Sequence, residues 1–359
     1  MENIKSIFAT KDIVLKDFFI VGQGLAGSVL AVKLEQMGKS FKIFDSPNPN
    51  TSSAVAAGIM NPVSGKRYVP VWRASEIFSV AFTFYRFCET KLAGNFFYEM
   101  PLYRIFGSIA EQNEWMGKAG NDKVAPFLNE HPDSILKLNE EIYSNPHYSL
   151  SLKGGRLEVA EFVNKVRNRL VHQGIFSERH ISPSIVMHFK NHVSIDGEEA
   201  KQIIFCTGLD DGFWSFLPFI GVKGELLEVA SDALERDRIV VGASFLTPSA
   251  KHFYLGATYN WDDKSLMPTE QAREELINNY YKFAKPPIEI KNQRVGFRPT
   301  VRDRKPLLGM HPEYPNLFLF GGLGSKGVSL APYLADRLLE FIIHEKGLDS
   351  EINLNRFKK

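Results

Sequence analysis

The chain has 359 residues, 44% hydrophobic and 12% aromatic, with 43 Lys and Arg against 41 Asp and Glu. That length builds one large domain or two intimately joined ones with an ample core, and the hydrophobic share excludes a disordered chain. A formal charge of +2 excludes a surface basic throughout, as a general nucleic-acid binder has, and leaves room for a local basic patch.

In chain order, Met1 to Lys16 is broken by Lys5, Lys11 and Asp12, so it lacks the apolar stretch of a secretory signal. No run reaches the roughly 18 apolar residues of a membrane span, and the sequence predicts a soluble, cytoplasmic protein. Phe18 to Val21 reads as a buried strand stopped by Gly22. Gly22-Gln23-Gly24-Leu25-Ala26-Gly27 follows, then a helix with apolar residues at helical spacing, ended by Gly38. Phe41 to Phe44 is a second strand, closed by Asp45 and Ser46.

The order strand, G-x-G-x-x-G, helix, strand, acid meets the contextual conditions for dinucleotide binding. The first glycine permits the tight turn, the second admits a pyrophosphate, and the third lets the helix pack on the strand. The N–H groups of the helix start, at Leu25 and Ala26, carry positive dipole for phosphate. Asp45 is placed to accept from an adenosine ribose. This motif alone does not separate NAD from FAD.

Three later segments bear on that choice. Thr51 to Pro62 is a run of small residues, including Ser53, Ala57, Gly58 and Met60, whose backbone suits close approach to a flat ligand. Ser52 or Ser53 also reads as a helix cap there. Lys201 to Phe205 is an apolar strand ending in Cys206-Thr207-Gly208. Asn316 to Phe320 is a strand broken by Gly321-Gly322-Leu323-Gly324-Ser325-Lys326-Gly327, and a helix, Val328 to Ile343, follows. A simple NAD domain has no need of this second glycine loop feeding a helix N-terminus.

With these motifs the chain resembles the D-amino-acid oxidase superfamily of FAD-dependent amine oxidoreductases, which includes glycine oxidase and sarcosine oxidase. The resemblance runs from Asp17–Asp45 through Ser52–Pro62, Gly154-Gly155-Arg156-Leu157-Glu158, Thr207-Gly208 and Val222-Lys223-Gly224-Glu225. It ends with Arg298-Pro299, Asp303, Pro306, Gly309 and the Gly322–Gly327 loop. Ser64-Gly65-Lys66-Arg67, Tyr254 to Tyr259, and Leu323 to Gly327 with Ala331-Pro332 are similar to the FAD domain of the bifunctional tRNA wobble-uridine-modifying enzymes. Those enzymes carry a methyltransferase domain for which this chain is expected to have no room.

The resemblance implies an α/β fold. A discontinuous Rossmann-like FAD-binding domain (17–75, 150–212, 297–359) is joined by a second α+β substrate domain on an antiparallel sheet (76–149, 213–296). Gly22, Gly24 and Gly27 would face the pyrophosphate, Ala56–Met60 the isoalloxazine, and Gly324 to Gly327 the flavin N1–C2=O edge. A helix dipole with Lys326 would stabilise charge on reduced flavin, although Lys326 also reads as a surface lysine at a helix start. Some members bind FAD covalently through a C-terminal cysteine or an N-terminal histidine. Here Cys88 and Cys206 are the only cysteines and His131 is the first histidine, so FAD is expected to be non-covalent. Two cysteines also exclude a disulfide framework and a cysteine-rich zinc site. His188 and His192 lie in a β-rich stretch with a turn between them, and no metal is expected.

Within the insertions, the aromatics from Phe78 to Phe106 read as core packing, and Lys223 to Val229 and His252 to Ala257 as antiparallel strands. Thr269 to Phe283 is an amphipathic helix ended by Lys285-Pro286-Pro287. Arg298 stands at the family's substrate-carboxylate position, and a guanidinium suits a carboxylate. A salt bridge to Asp303 or another acid is its other reading. Six basic residues (Lys291, Arg294, Arg298, Arg302, Arg304, Lys305) against Asp303 form either a solvated loop, which is favoured, or a phosphate-binding rim. Lys66, Arg67 and Arg73 form a second basic cluster, of which Lys66 and Arg67 would edge the active-site entrance. Tyr259 and Trp261 either line the pocket or are core aromatics.

The expected activity is FAD-dependent oxidation of the C–N bond of an amino acid or N-substituted glycine. Hydride passes to flavin N5 and O2 reoxidises the flavin, with Arg298, Lys326 and Tyr259 as catalytic residues. The alternatives are a stand-alone tRNA wobble-uridine demodifying oxidase, with tRNA possible as partner but not favoured, and a non-catalytic FAD-binding redox protein.

Overall fold

The computed structural model describes residues 15–357 except 47, 49, 65–68, 120–121, 129–137, 146–148 and 210–211. Alternating apolar runs and turn residues fold the first part into β1 (Lys16–Val21), α1 (Leu25–Gln36), β2 (Phe41–Asp45), α2 (Ser52–Val55), β3 (Ile59–Met60), and a small hairpin, β4 (Val63–Ser64) with β5 (Val69–Pro70). The aromatic stretch forms α3 (Ala74–Leu92), followed by β6 (Phe97–Ile105), α4 (Ile109–Ala119), β7 (Ser149–Leu157) and α5 (Val159–His172). Then come β8 (Phe176–Glu178), β9 (Val186–His188), β10 (Val193–Ile195) and β11 (Glu198–Phe205). The last part holds β12 (Phe219–Ala230), β13 (Ile239–Val241), β14 (Phe245–Pro248), β15 (Phe253–Gly256), α6 (Glu270–Tyr280), β16 (Glu289–Val301), β17 (Leu307–Met310), β18 (Leu317–Gly321) and α7 (Gly327–His344).

Two eight-stranded sheets result, a mixed α/β fold of the expected class. The first sheet runs β17-β18-β11-β1-β2-β8, with β10 and β9 added beside β11. Its central strands are parallel: Val21 stands opposite Phe44 of β2 and Phe205 of β11, and Phe205 opposite Leu319 of β18. Strands buried on both faces need continuous apolar sequence, which Phe18–Val21, Ile203–Phe205 and Leu317–Phe320 supply. The second sheet runs β16-β12-β15-β14-β13-β6-β7-β3 and is antiparallel except between β13 and β6. Residues 149–157 and 59–60, which flank the motifs of the first sheet in sequence, pair in this second sheet.

The expected core role of the early aromatics holds for Phe78, Phe84, Tyr85, Phe96, Phe97 and Phe106, whereas Phe87 is exposed. Ile77, Phe78, Ala81, Phe84, Tyr85 and Cys88 form the buried face of α3, and burial of each large apolar side chain stabilises by roughly 1.5–3 kcal/mol. Tyr85 and Phe96 meet Phe162 of α5 at ring distances of 5.7 and 5.5 Å. Among the described residues no helix is long and apolar enough to cross a membrane.

Candidate active site

Because β1, β11 and β18 run parallel side by side, their C-terminal ends open on one edge of the first sheet, where open α/β sheets bind ligands. Two of these strands turn through glycine loops into helices. Gly22 has φ +94°, and a Cβ there would lie 2.7 Å from the Cys206 carbonyl oxygen. A Cβ on Gly27 would fall 2.0 Å from the Gly22 oxygen, so only glycine lets α1 seat on its strand. Gly24 is the N-cap of α1 and offers no side-chain cap, which leaves first-turn N–H groups at Ala26 and Gly27 for an anion. Leu25 N–H donates to Ser53 Oγ (2.9 Å). At the second loop, Gly322 and Gly324 have φ +68° and +56°, and α7 also starts without a side-chain cap. A Cβ on Gly327 would be 3.4 Å from Leu25 Cδ2, so the two helix N-termini converge.

Asp45 ends β2 as expected. Its Oδ1 accepts from Gln23 N–H (3.0 Å) and its Oδ2 from Arg167 (2.6 Å). Arg167 also donates to Gln23 Oε1 (2.6 Å). Ionised carboxylates have about four acceptor sites, so Asp45 keeps capacity for a ribose hydroxyl. Arg167 was missed from the sequence. It lies on α5, 122 residues from Asp45, and no local pattern marks it.

The small-residue segment is arranged differently from the expected capping. Thr51, not Ser52 or Ser53, caps α2, with Oγ1 accepting from Ala54 N–H (3.2 Å). The two serines are thereby free for distant partners: Ser53 Oγ takes Leu25 N–H, and Ser52 Oγ donates to the Phe297 carbonyl (2.6 Å). Gly58 has φ +77°, and its Cβ would strike the Leu157 oxygen at 1.8 Å, so close packing on β7 demands glycine. Met60 is buried and pairs with Gly155 of β7, while Ala57 packs with Val55 and Leu226. Thr207 and Gly208 follow β11, with Thr207 Oγ1 donating to the Leu209 carbonyl (3.3 Å). Ser46 and Ser325 are exposed.

Above this edge, Arg298 projects from β16 into a slot over Gly224, where a Cβ would sit 2.4 Å from its Nη1. Nη1 donates to the carbonyls of Thr258 (3.0 Å) and Lys223 (3.4 Å), and the guanidinium lies 3.9 Å from the centre of the Tyr259 ring. The alternative pairing with Asp303 does not form. Asp303 is taken by Arg356 at 2.8 and 3.1 Å. Among the described residues no carboxylate pairs with Arg298, and desolvation lowers its pKa below arginine's usual value. It remains charged at any physiological pH. A half-buried cation without a counter-ion is costly unless an anion arrives. Thr300, on the same face of β16, lies 3.7 Å from the Cβ position of Gly324, which brings the strand of Arg298 against the second loop. Lys326 in that loop is solvent-exposed yet crowded by protein, and desolvation lowers its pKa.

Tyr259 is 60% exposed and Trp261 39%, which removes the core reading of both. The Arg304 guanidinium lies 5.2 Å from the Trp261 ring. Ser64 to Arg67 carried part of the resemblance, but Gly65, Lys66 and Arg67 fall outside the described residues. Arg73 donates to Tyr333 OH (2.6 Å).

Glycine cradles, two converging uncapped helices and a ribose-placed carboxylate fit the phosphates and ribose of a flavin dinucleotide. With an uncompensated arginine on the adjoining sheet, they define the class of flavin-dependent oxidoreductases. Residues 17–340 match the family DAO, FAD dependent oxidoreductase, and the chain belongs to that family, with FAD as its cofactor. Relatives include the tRNA 5-methylaminomethyl-2-thiouridine biosynthesis bifunctional protein MnmC of Idiomarina loihiensis. It is 24% identical over 347 residues, covering 89% of this chain and 54% of that protein. The chain thus spans about half the length of such relatives. The fold is similar to glycine oxidase from Bacillus cereus (TM-score 0.74, 16% identity, 92% of this chain and 96% of that one). It is also similar to iminodiacetate oxidase from Chelativorans sp. BNC1 (TM-score 0.73, 17% identity, 95% and 98%).

Proposed function

We propose that the protein oxidises the C–N bond of a small carboxylate-bearing amine, an amino acid or N-substituted glycine. The observation that carries this reading is Arg298: a desolvated guanidinium with no described carboxylate partner, held by carbonyls and an aromatic face so that its remaining N–H groups can grip an anion. Bound FAD supplies the hydride acceptor at N5, with O2 as the terminal oxidant. The chain's contribution is position and charge. Arg298 fixes the substrate carboxylate, Tyr259 walls the site, and Lys326 with the α7 N-terminus offsets negative charge at the flavin. The first sheet with α1 and α7 forms the cofactor domain and the second sheet the roof. FAD would be held non-covalently, by the Gly22–Gly27 and Gly322–Gly327 loops, Asp45 and Ser53, with the segment of Ala57, Gly58 and Met60 running beside the ring system. Acid precipitation should therefore release all flavin colour into the supernatant.

The test is anaerobic mixing with glycine, sarcosine, iminodiacetate and D-alanine. Bleaching of the oxidised-flavin absorbance by at least one supports the reading, as does peroxide release in air. A flavin left oxidised by every carboxylate-bearing amine overturns it.

A second reading takes the amine as part of a modified tRNA, as the names of the curated relatives invite. The exposed Tyr259 and Trp261, stacked with Arg298 and Arg304, favour it, because aromatic faces interleaved with cations suit nucleotide bases and phosphates. It requires tRNA affinity that falls steeply with salt.

A further inference from the structure

Lys223 is 1% exposed, and no step of the proposed function uses its side chain. Its ammonium meets Asp263 Oδ2 (2.5 Å), the Met267 carbonyl (2.6 Å), Ser265 Oγ and Glu225 Oε1 (both 3.4 Å). Three of these partners lie in 257–269, the loop between β15 and α6 that carries Tyr259 and Trp261. The main chain of Lys223 grips the same loop: its N–H donates to the Asn260 carbonyl (2.9 Å) and its carbonyl accepts from Asn260 N–H (3.0 Å). That carbonyl is also an acceptor of Arg298 Nη1. Glu225, two residues on, accepts from Thr269 N–H and Oγ1 and from Gln293 Nε2, and its carbonyl takes Thr258 N–H (3.0 Å). The loop is therefore wrapped around one ammonium, and its first turn supplies both the carbonyl and the ring that hold Arg298.

Burying an ammonium is costly, and replacing such a cluster with apolar residues is often neutral for stability. What the ion cluster supplies is a single geometry. We propose that Lys223, through Asp263 and the Met267 carbonyl, is a positioning residue that sets the orientation of Arg298 and Tyr259 toward the substrate anion. This rests on the reading of Arg298 as the carboxylate-binding group. Small misplacements of a binding group are expensive in affinity and rate.

The test uses the FAD-loaded protein, with acetate as probe and flavin absorbance changes reporting its binding. Lys223→Met is the direct variant. Asp263→Ala keeps the proposal testable if that variant does not fold, because Asp263 is partly exposed. Either variant should weaken acetate binding about tenfold, the scale of losing one charged hydrogen bond, with flavin content and spectrum unchanged. Amide hydrogen exchange over 258–269 should accelerate, while α1 and α7 keep their protection. Asp263→Asn, which retains an acceptor oxygen, should restore part of the affinity. Faster exchange with unchanged acetate affinity would reduce Lys223 to a structural role and overturn the proposal, as would unchanged exchange. If Arg298→Met binds acetate as the natural protein does, the reading of Arg298 falls, and the positioning role with it, whatever the exchange shows.

Discussion

The two glycine loops have the same plan, strand into glycines into helix, yet the structure uses them differently. Around Gly22–Gly27 the backbone is packed to contact: Gly27 against the Gly22 oxygen, Gly22 against the Cys206 carbonyl. In the second loop Gly322 is also tight, its Cβ position 3.0 Å from Leu307 N, but around Gly324 there is space. A Cβ on Gly324 would meet Thr300 Oγ1 at an ordinary 3.7 Å, and Ser325 and Lys326 are exposed. A glycine motif can thus mean either that no atom fits or that the chain must turn, and the sequence looks alike in both cases. The first loop is a packing constraint on how α1 seats on β1, and the second leaves Gly324, Ser325 and Lys326 room.

The sharpest way to break this contrast is Gly27→Ala. Its Cβ would have to displace backbone, so we expect a loss of about 3 kcal/mol in stability and purification without flavin, read by thermal unfolding and visible absorbance. Retention of full flavin content would contradict the packing account. Next comes Arg298→Met, on the strand that abuts the second loop. Removing the proposed carboxylate clamp should cost about a hundredfold or more in kcat/KM, with flavin content unaltered. Lys326→Met should slow anaerobic flavin reduction by about tenfold. The natural protein should also lose rate as pH rises through the lowered pKa of Lys326, since its charge is lost there, and the variant should lack that limb. Gly324→Ala should cost only about 1 kcal/mol, the strain of a left-handed alanine, and keep its flavin. The smallest effect lies at the far end of β1 from the loop. Lys201 and Ser40 hold the Asp17 carboxyl at about 2, below its ordinary 3.8. A depressed acid stabilises above its unfolded pKa and loses that contribution as pH falls through its folded pKa. Asp17→Asn should therefore lower stability by about 0.5 kcal/mol at pH 7, an effect that fades as pH falls through about 2 and is gone well below it.

Much of this was legible in the chain. The G-x-G-x-x-G context, Asp45 and the second loop were readable because each glycine's task is set by neighbours within a few residues. α7 and α6 lie within a few residues of their expected bounds, since helical periodicity and the Thr269 cap are local signals. What sequence did not disclose depends on distant pairing. Nothing near Asp45 announces Arg167, and nothing near Tyr259 shows that Lys223 would fold its loop outward. The serines of α2 looked like caps because the cap geometry is local, whereas their real partners at Leu25 and Phe297 are not. Nothing near Gly58 shows that the Leu157 carbonyl of β7 would press against it.

The bond from Ser52 to the Phe297 carbonyl spans 245 residues, and Arg294 reaches back across 240 to the Ala54 carbonyl. At a synthesis rate of about 5–20 residues per second, α2 waits roughly 12–50 s on the ribosome before its partner strand exists. The nascent chain therefore holds the first glycine loop and α2 long before the strand that closes on them is made. Flavin capture should be a late event of biosynthesis, and chains released short of Arg298 should emerge without their cofactor.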